Sequence, residues 1–386
     1  MTRNCVTLLL IASAIPALLV VASCQDGGDA DDTRDERVKQ VSADWGTDWS
    51  RHSVELNAFR AGGPLRDGIP SIDDPKFVSI AEAREWLAGN EPVLVVVIDG
   101  VARAYPLQIL MFHELANDVL SGIAILASYC PLCNAAIAFE RTADERVLEF
   151  GVSGLLRNSD MVMYDRTTES LWQQYSGECI VGELLGTKLK AIPSSMLSPD
   201  QFAEAYPNGE VLSRETGRNA PYGRNPYEHY DDPLTHPFAF AGETDARLAP
   251  KARVVGLHVD GKPVAYPHQA LTGSGVINDV RGEARVAVFH LPGVASALDE
   301  AEIAASADVG VTGAFDPVVE GRRLTFARVD GEFVDDETQT HWDILGRATS
   351  GSLAGRQLRQ LLHHDTFWFA WFAFEPDTAV YVGEQP

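Results

Sequence analysis

The sequence predicts a strand-rich α+β fold made of two degenerate repeats of one β-hairpin/helix/strand module, forming two lobes. Self-similarity is the first observation behind this. Val93 to Val119 aligns without a gap to Val254 to Val280, so that Asp99-Gly100 recurs as Asp260-Gly261, Ala104-Tyr105-Pro106 as Ala265-Tyr266-Pro267, and Asn117-Asp118-Val119 as Asn278-Asp279-Val280. One constant offset carries every match, which marks two copies of a module. The second observation is the alternation of short β-branched runs with turn residues along most of the chain. The third is size: 386 residues, 45% of them hydrophobic, suffice for two domains of roughly 150 residues each.

The chain starts as an export signal, with Arg3 before an apolar run from Val6 to Val21. Val21-Ala22-Ser23-Cys24 reads as a bacterial lipobox, so residues 1–23 are expected to be a lipoprotein signal peptide and Cys24 the site of lipidation. An ordinary secretory leader cut near Ala22 is the alternative. The expected location is the cell envelope, periplasmic or outer-face, with the membrane touched only through the lipid. Residues 24–62, rich in Asp and Glu up to Asp44, are expected to be an acidic tether.

Residues 63–207 form the expected first lobe. Ser79 with Glu82 makes a capping box before Trp86 and Leu87, and Gly89 stops that helix. Val93 to Ile98, Asp99-Gly100 and the run into Ala104-Tyr105-Pro106 read as a hairpin. A helix is predicted over Leu107 to Val119, with Leu110, Leu115 and Val119 on one face. Strands follow at Ile123 to Ser128, Ala135 to Phe139, Val147 to Val152, Met161 to Tyr164 and Glu178 to Val181. Ser198-Pro199 with Gln201 starts another helix before Phe202. Residues 208–245, rich in Pro, Gly, Asn and Tyr, read as the connection, and 246–386 as a second, degenerate lobe. The aromatic run Phe367 to Phe372 is expected to seal that lobe as a buried strand or helix.

Composition narrows the function. With 31 Lys plus Arg against 55 Asp plus Glu, the net charge of -24 repels a phosphate backbone, so nucleic-acid binding is excluded. There is no phosphate-cradling glycine loop, no GxSxG and no HExxH, and no nucleotide cofactor is expected.

Polar residues found in only one repeat are the candidates for chemistry. The first copy alone carries Tyr129-Cys130-Pro131-Leu132-Cys133-Asn134, and His113 there is Ser274 in the second copy. A Cys-Pro-x-Cys turn followed by a strand resembles a metal knuckle that points both sulfurs at one ion. His113, Cys179 and the thioethers Met161 and Met163 are the further candidate ligands, a set suited to copper or zinc. A thiol/disulfide oxidoreductase using Cys130 and Cys133 is the second reading, although no helix N-terminus follows to activate a thiol. A structural disulfide in a non-catalytic envelope binding module is the third. A secondary polar cluster comprises Asn158, Asp160, Tyr164, Asp165 and Arg166. An envelope redox or metal-handling partner is the expected type of partner.

Several motifs occur together: Gly68-Ile69-Pro70-Ser71-Ile72-Asp73, His113-Glu114 with Asn117-Asp118, Tyr129-Cys130-Pro131-Leu132-Cys133, Phe150-Gly151-Val152-Ser153-Gly154, Met163-Tyr164-Asp165-Arg166, and the ending Phe367-Trp368-Phe369-Ala370-Trp371. With these the chain resembles the bacterial and archaeal domain-of-unknown-function family 3179, from about Gly68 to the C-terminus. The resemblance implies export or lipid anchoring and assigns no activity. It also implies selenocysteine in some relatives, which favours thiol redox chemistry over an inert disulfide. Asn134 stands where relatives often have Gly, and Asn still accepts a left-handed backbone.

Overall fold

In the computed structural model, residues 32–383 are described; the leader 1–23 and Cys24 lie outside them. The architecture follows from hairpins that the turn residues dictate. Asp99 and Gly100 both take left-handed backbone, φ 52° and 80°, as do Asp260 and Gly261 at 51° and 71°. This is the turn whose twist matches paired strands. It joins Val93–Ile98 to Val101–Pro106 in one half and Arg253–Val259 to Lys262–Pro267 in the other.

Each hairpin is the centre of a sheet with the same pairing order. The first half runs Ser194–Leu197, Val93–Ile98, Val101–Pro106, Glu210–Leu212, Phe77–Ser79. The second half runs His363–Phe367, Arg253–Val259, Lys262–Pro267, Ala379–Val380. In both, the strand after the hairpin's second arm is parallel to it. A second sheet in the first half is ordered Leu115–Leu120, Ile123–Cys130, Ala135–Glu140, Lys190–Ile192, and in the second half Val276–Arg281, Ala284–Leu291, Val311–Asp316, Arg359–Gln360. A third contains Phe150–Arg157, Asp160–Asp165, Leu171–Gln173 and Glu178–Val181, or Phe326–Val329, Glu332–Asp335, His341–Trp342 and Ala348–Ser350.

Polar residues common to both halves hold these sheets together. Tyr105 donates to Asp118 at 2.5 Å and Tyr266 to Asp279 at 2.8 Å. Asn117 bridges to the backbone of Phe150, and Asn278 to that of Phe326, through both donor and acceptor. Trp172 donates to Asp165 and Trp342 to Asp335, each at 3.0 Å. These buried groups are satisfied internally, as structural polar residues must be.

The structure departs from the sequence reading in three places. The helix expected over Leu107 to Val119 spans only Leu107–His113. Glu114 takes φ 59° and breaks it, and Leu115–Leu120 continues as a strand hairpinned to Ile123–Cys130 through Ser121 and Gly122. The expected tether, residues 24–62, is structured from Glu36: the helix Glu36–Val41 buries Val38, and Trp45 and Trp49 stack at 6.5 Å against a cluster containing Phe59, Val162 and Tyr164. Its acidic count concealed these apolar anchors. Finally, the chain from Thr33 onward is one compact unit, not two lobes on a connection. One hydrophobic cluster holds Cys130, Cys133 and Met163 together with Phe367, Trp368, Phe369 and Trp371 from the C-terminal end. Another combines Val93 and Phe202 with Phe289 and Trp342. The C-terminal aromatic run is the helix Trp368–Phe374. Among the described residues no helix is long and apolar enough to cross a membrane.

Candidate functional site

The two cysteines sit at a tight turn. Ile123–Cys130 and Ala135–Glu140 are antiparallel, and the intervening turn closes with the Asn134 amide donating to the Pro131 carbonyl at 3.1 Å. Asn134 adopts φ 52°, the left-handed conformation foreseen for it. A second turn faces the first. Asn158 and Ser159 both have left-handed backbone, φ 54° and 62°, and join Phe150–Arg157 to Asp160–Asp165. This places the Ser159 carbonyl 3.5 Å from Cys133 Sγ and 4.0 Å from Cys130 Sγ.

Asp160 completes the group. A carboxylate oxygen of Asp160 and the two sulfurs lie within 4.8 Å of one another, and all three residues are buried. Gln173 Nε2 donates to Asp160 Oδ2 at 2.6 Å, as does the Tyr175 amide at 3.0 Å. Oδ1 is buried with no hydrogen-bond partner. Burial pushes the Asp160 carboxyl up to about 6 and raises both thiols above their ordinary value, because a charge on any of them would be poorly solvated. Cys130 and Cys133 are free thiols.

The other expected site residues are elsewhere. His113 is not a member of this group. It ends the helix Leu107–His113, with Nδ1 donating to the Pro70 carbonyl and Nε2 accepting from the Tyr222 hydroxyl, both at 2.7 Å. With both ring nitrogens engaged, it is a structural histidine tied to the segment that sequence reading treated as a connection. Cys179 pairs across from Trp172, and its sulfur donates to the Val181 carbonyl at 3.5 Å. Burial pushes its thiol up to about 12. Met163 lies in mid-strand between Val152 and Trp172, within the same core as the thiols.

The secondary polar cluster divides. Asp160 belongs to the site and Asn158 shapes the turn beside it. Tyr164 donates to Asp67, and Arg166 binds Asp67, Asp73 and Glu149, a separate network. Asp165 is the anchor of Trp172 and has its counterpart in Asp335.

Sequence reading missed one residue altogether. Glu114 is only 8% exposed, and among the described residues its carboxyl makes no hydrogen bond or ion pair. Burial, with the nearby Asp160 charge, pushes it up to about 8. It lines a cavity of about 330 Å³ whose walls include Leu132, from the cysteine turn, and Met161, next to Asp160. The signal was present in the alignment of Val93 to Val119 with Val254 to Val280: the residue opposite Glu114 is Gly275, which ends its own helix at φ 74°. Glu114 occupies a position where Gly is the undemanding choice.

A family model described as "Protein of unknown function (DUF3179)" matches residues 66–378, which takes in the cysteine turn, Asp160, Glu114 and the C-terminal helix. The chain belongs to this family. No curated protein and no solved structure matches it. Within this DUF3179 domain, two thiols, two carboxyls of raised pKa and a mostly apolar cavity therefore stand together on two facing turns and one helix end.

Proposed function

We propose that Cys130, Cys133 and Asp160 are the three protein ligands of a metal site, with zinc favoured over copper. The convergence of the two buried sulfurs on the buried Asp160 carboxyl, whose Oδ1 has no partner other than the neighbouring thiols, carries this reading. A buried carboxylate oxygen beside two thiols is costly alone, and a cation bound to all three would compensate every member at once. Bonds of about 2.0–2.3 Å to zinc set tetrahedral ligand atoms about 3.3–3.8 Å apart, within reach of a cluster whose atoms lie within 4.8 Å of one another. A carboxylate as third ligand suits zinc better than cuprous copper, which prefers soft donors. Three protein ligands leave the fourth position for water or substrate, the pattern of catalytic zinc sites. Attachment to the envelope through Cys24 remains part of the proposal and rests on the lipobox pattern alone.

The deciding experiment is elemental analysis of protein purified anaerobically without chelator, with free thiols counted on the same sample. Near one equivalent of zinc is expected, falling sharply in Cys133→Ser and Asp160→Asn. Full metal content in both variants, or metal-free protein with Cys130 and Cys133 oxidised, would sink the metal site.

One observation favours a second reading, a dithiol/disulfide couple. Exchange with a disulfide-bearing partner would pass two electrons from Cys130 and Cys133 to the partner's two sulfurs, which leave as thiols, and the Asp160 carboxyl, pushed up to about 6 and lying beside both sulfurs, is placed to take the proton of the attacking thiol. A reduction potential well below about -300 mV would mark the pair as a structural bridge instead.

A further inference from the structure

We infer that the cavity beside the cysteine turn binds a neutral, mostly apolar small molecule carrying one hydrogen-bonding group that Glu114 meets. It depends on the metal reading only for where such a molecule would react.

The walls decide the apolar part. Ile69, Leu132, Leu156, Met161 and Phe238 are among the mostly apolar residues that line a cavity of about 330 Å³, large enough for a bicyclic aromatic molecule. Glu114 decides the polar part. Its carboxyl is the sole carboxyl on the wall, belongs to a residue only 8% exposed, and has no partner among the described residues. Its oxygens are not sealed in protein but reach the space of the cavity, where a ligand can meet them. The backbone points the same way. Glu114 holds φ 59°, a conformation that a non-glycine residue adopts only under constraint, while its counterpart is Gly275. Two unfavourable features at one residue on one cavity wall are characteristic of a functional position.

Charge decides the rest. No lining residue is basic, and the chain's net charge is -24, so an anionic ligand would be buried without a counter-ion. A cationic ligand would need Glu114 ionised against its burial, and of the three aromatic side chains on the wall Tyr230 already carries Lys251 Nζ at 4.2 Å from its centroid. Burial also favours the protonated form of Glu114, which can donate to an acceptor or accept from a donor.

The test is calorimetric titration of the full chain, as purified, with four probes of one shape: naphthylmethanol, methylnaphthalene, naphthoate and naphthylmethylammonium. At pH 7 the alcohol is expected to bind about 5-fold more tightly than the hydrocarbon, the gain of one net hydrogen bond. Each charged analogue is expected to be weaker than the alcohol by about 10-fold or more. Glu114→Leu should erase the preference for the alcohol while leaving methylnaphthalene bound, which also shows that the cavity is intact. Glu114→Gln should keep the preference, and Ile69→Trp, filling the cavity from a partly exposed wall, should weaken all four. Equal binding of alcohol and hydrocarbon, a charged probe as the tightest, or no saturable binding overturns the inference. Zinc measured on the same samples separates the two proposals: probe binding without metal sinks only the metal site, and metal without probe binding sinks only this one.

Discussion

Glu114 and Gly275 end equivalent helices with positive φ, 59° and 74°, at ψ -33° and -12°, yet only one of them has a side chain to accommodate there. The difference makes Glu114 a residue retained at a cost to stability. Glu114→Gly should therefore stabilise the metal-free protein by about 1 kcal/mol, the relief of strain outweighing the extra entropy of glycine when unfolded. Urea denaturation checks this. The midpoint should rise with an unchanged slope, and a fall would mean that the Glu114 side chain contributes packing that outweighs its strain.

The two raised carboxyls make stability pH-dependent in a predictable direction. Glu114 goes from 4.5 to about 8 on folding, and Asp160 from 3.8 to about 6. A carboxyl raised by folding binds its proton more tightly in the native state, so its contribution is present below the unfolded value and is lost as pH rises through the folded value. Metal-free protein should accordingly lose stability between about pH 4 and pH 8, by on the order of a few kcal/mol. The two groups contribute about equally to the loss up to about pH 6, and Glu114 carries most of that from pH 6 to 8. Denaturation midpoints of wild type and Glu114→Gln compared at pH 6 and 8 test the assignment: the variant should lose much less across that interval.

His113→Phe should separate structural from ligand roles at the site. The ring joins Pro70 to Tyr222, and Thr216 bonds the same hydroxyl at 2.6 Å, so the change leaves a part-buried carbonyl without its donor and the phenol with Thr216 alone. A loss of about 1–3 kcal/mol is expected from these unmet groups. Zinc content should be unchanged. A proportional loss of metal in a folded variant would return His113 to the ligand set.

The hairpins were legible because they depend on local chemistry, and the shared polar anchors because they recur. Asp-Gly turns and the capping boxes at Ser79 and Ser198 need no knowledge of distant contacts, whereas Asn117, Asp118 and Trp172 stood out by their recurrence as Asn278, Asp279 and Trp342. The strand Leu115–Leu120 was not legible in this way. Leu110, Leu115 and Val119 share a helical spacing, but the chain turns at Glu114 and gains a full edge of strand pairing with Ile123–Cys130. The site was half legible. Cys130 and Cys133 announce themselves by spacing, whereas Asp160 joins them only because the Asn158-Ser159 turn faces the cysteine turn, a relationship between strands far apart in sequence. His113 was chosen because the second repeat lacks it, and Glu114 beside it satisfied the same test.

The cysteine turn is fastened from the far end of the chain. Thr366 Oγ1 donates to the Cys133 carbonyl at 2.8 Å, and the Phe367 amide donates to it at 3.1 Å. During synthesis the thiols therefore emerge more than two hundred residues before the strand that locks their turn. Until His363–Phe367 docks, the sulfurs belong to an unfinished fold, open to stray oxidation. Premature termination between Asp160 and His363 would leave a chain that carries Cys130, Cys133 and Asp160 but lacks the strand that fastens their turn.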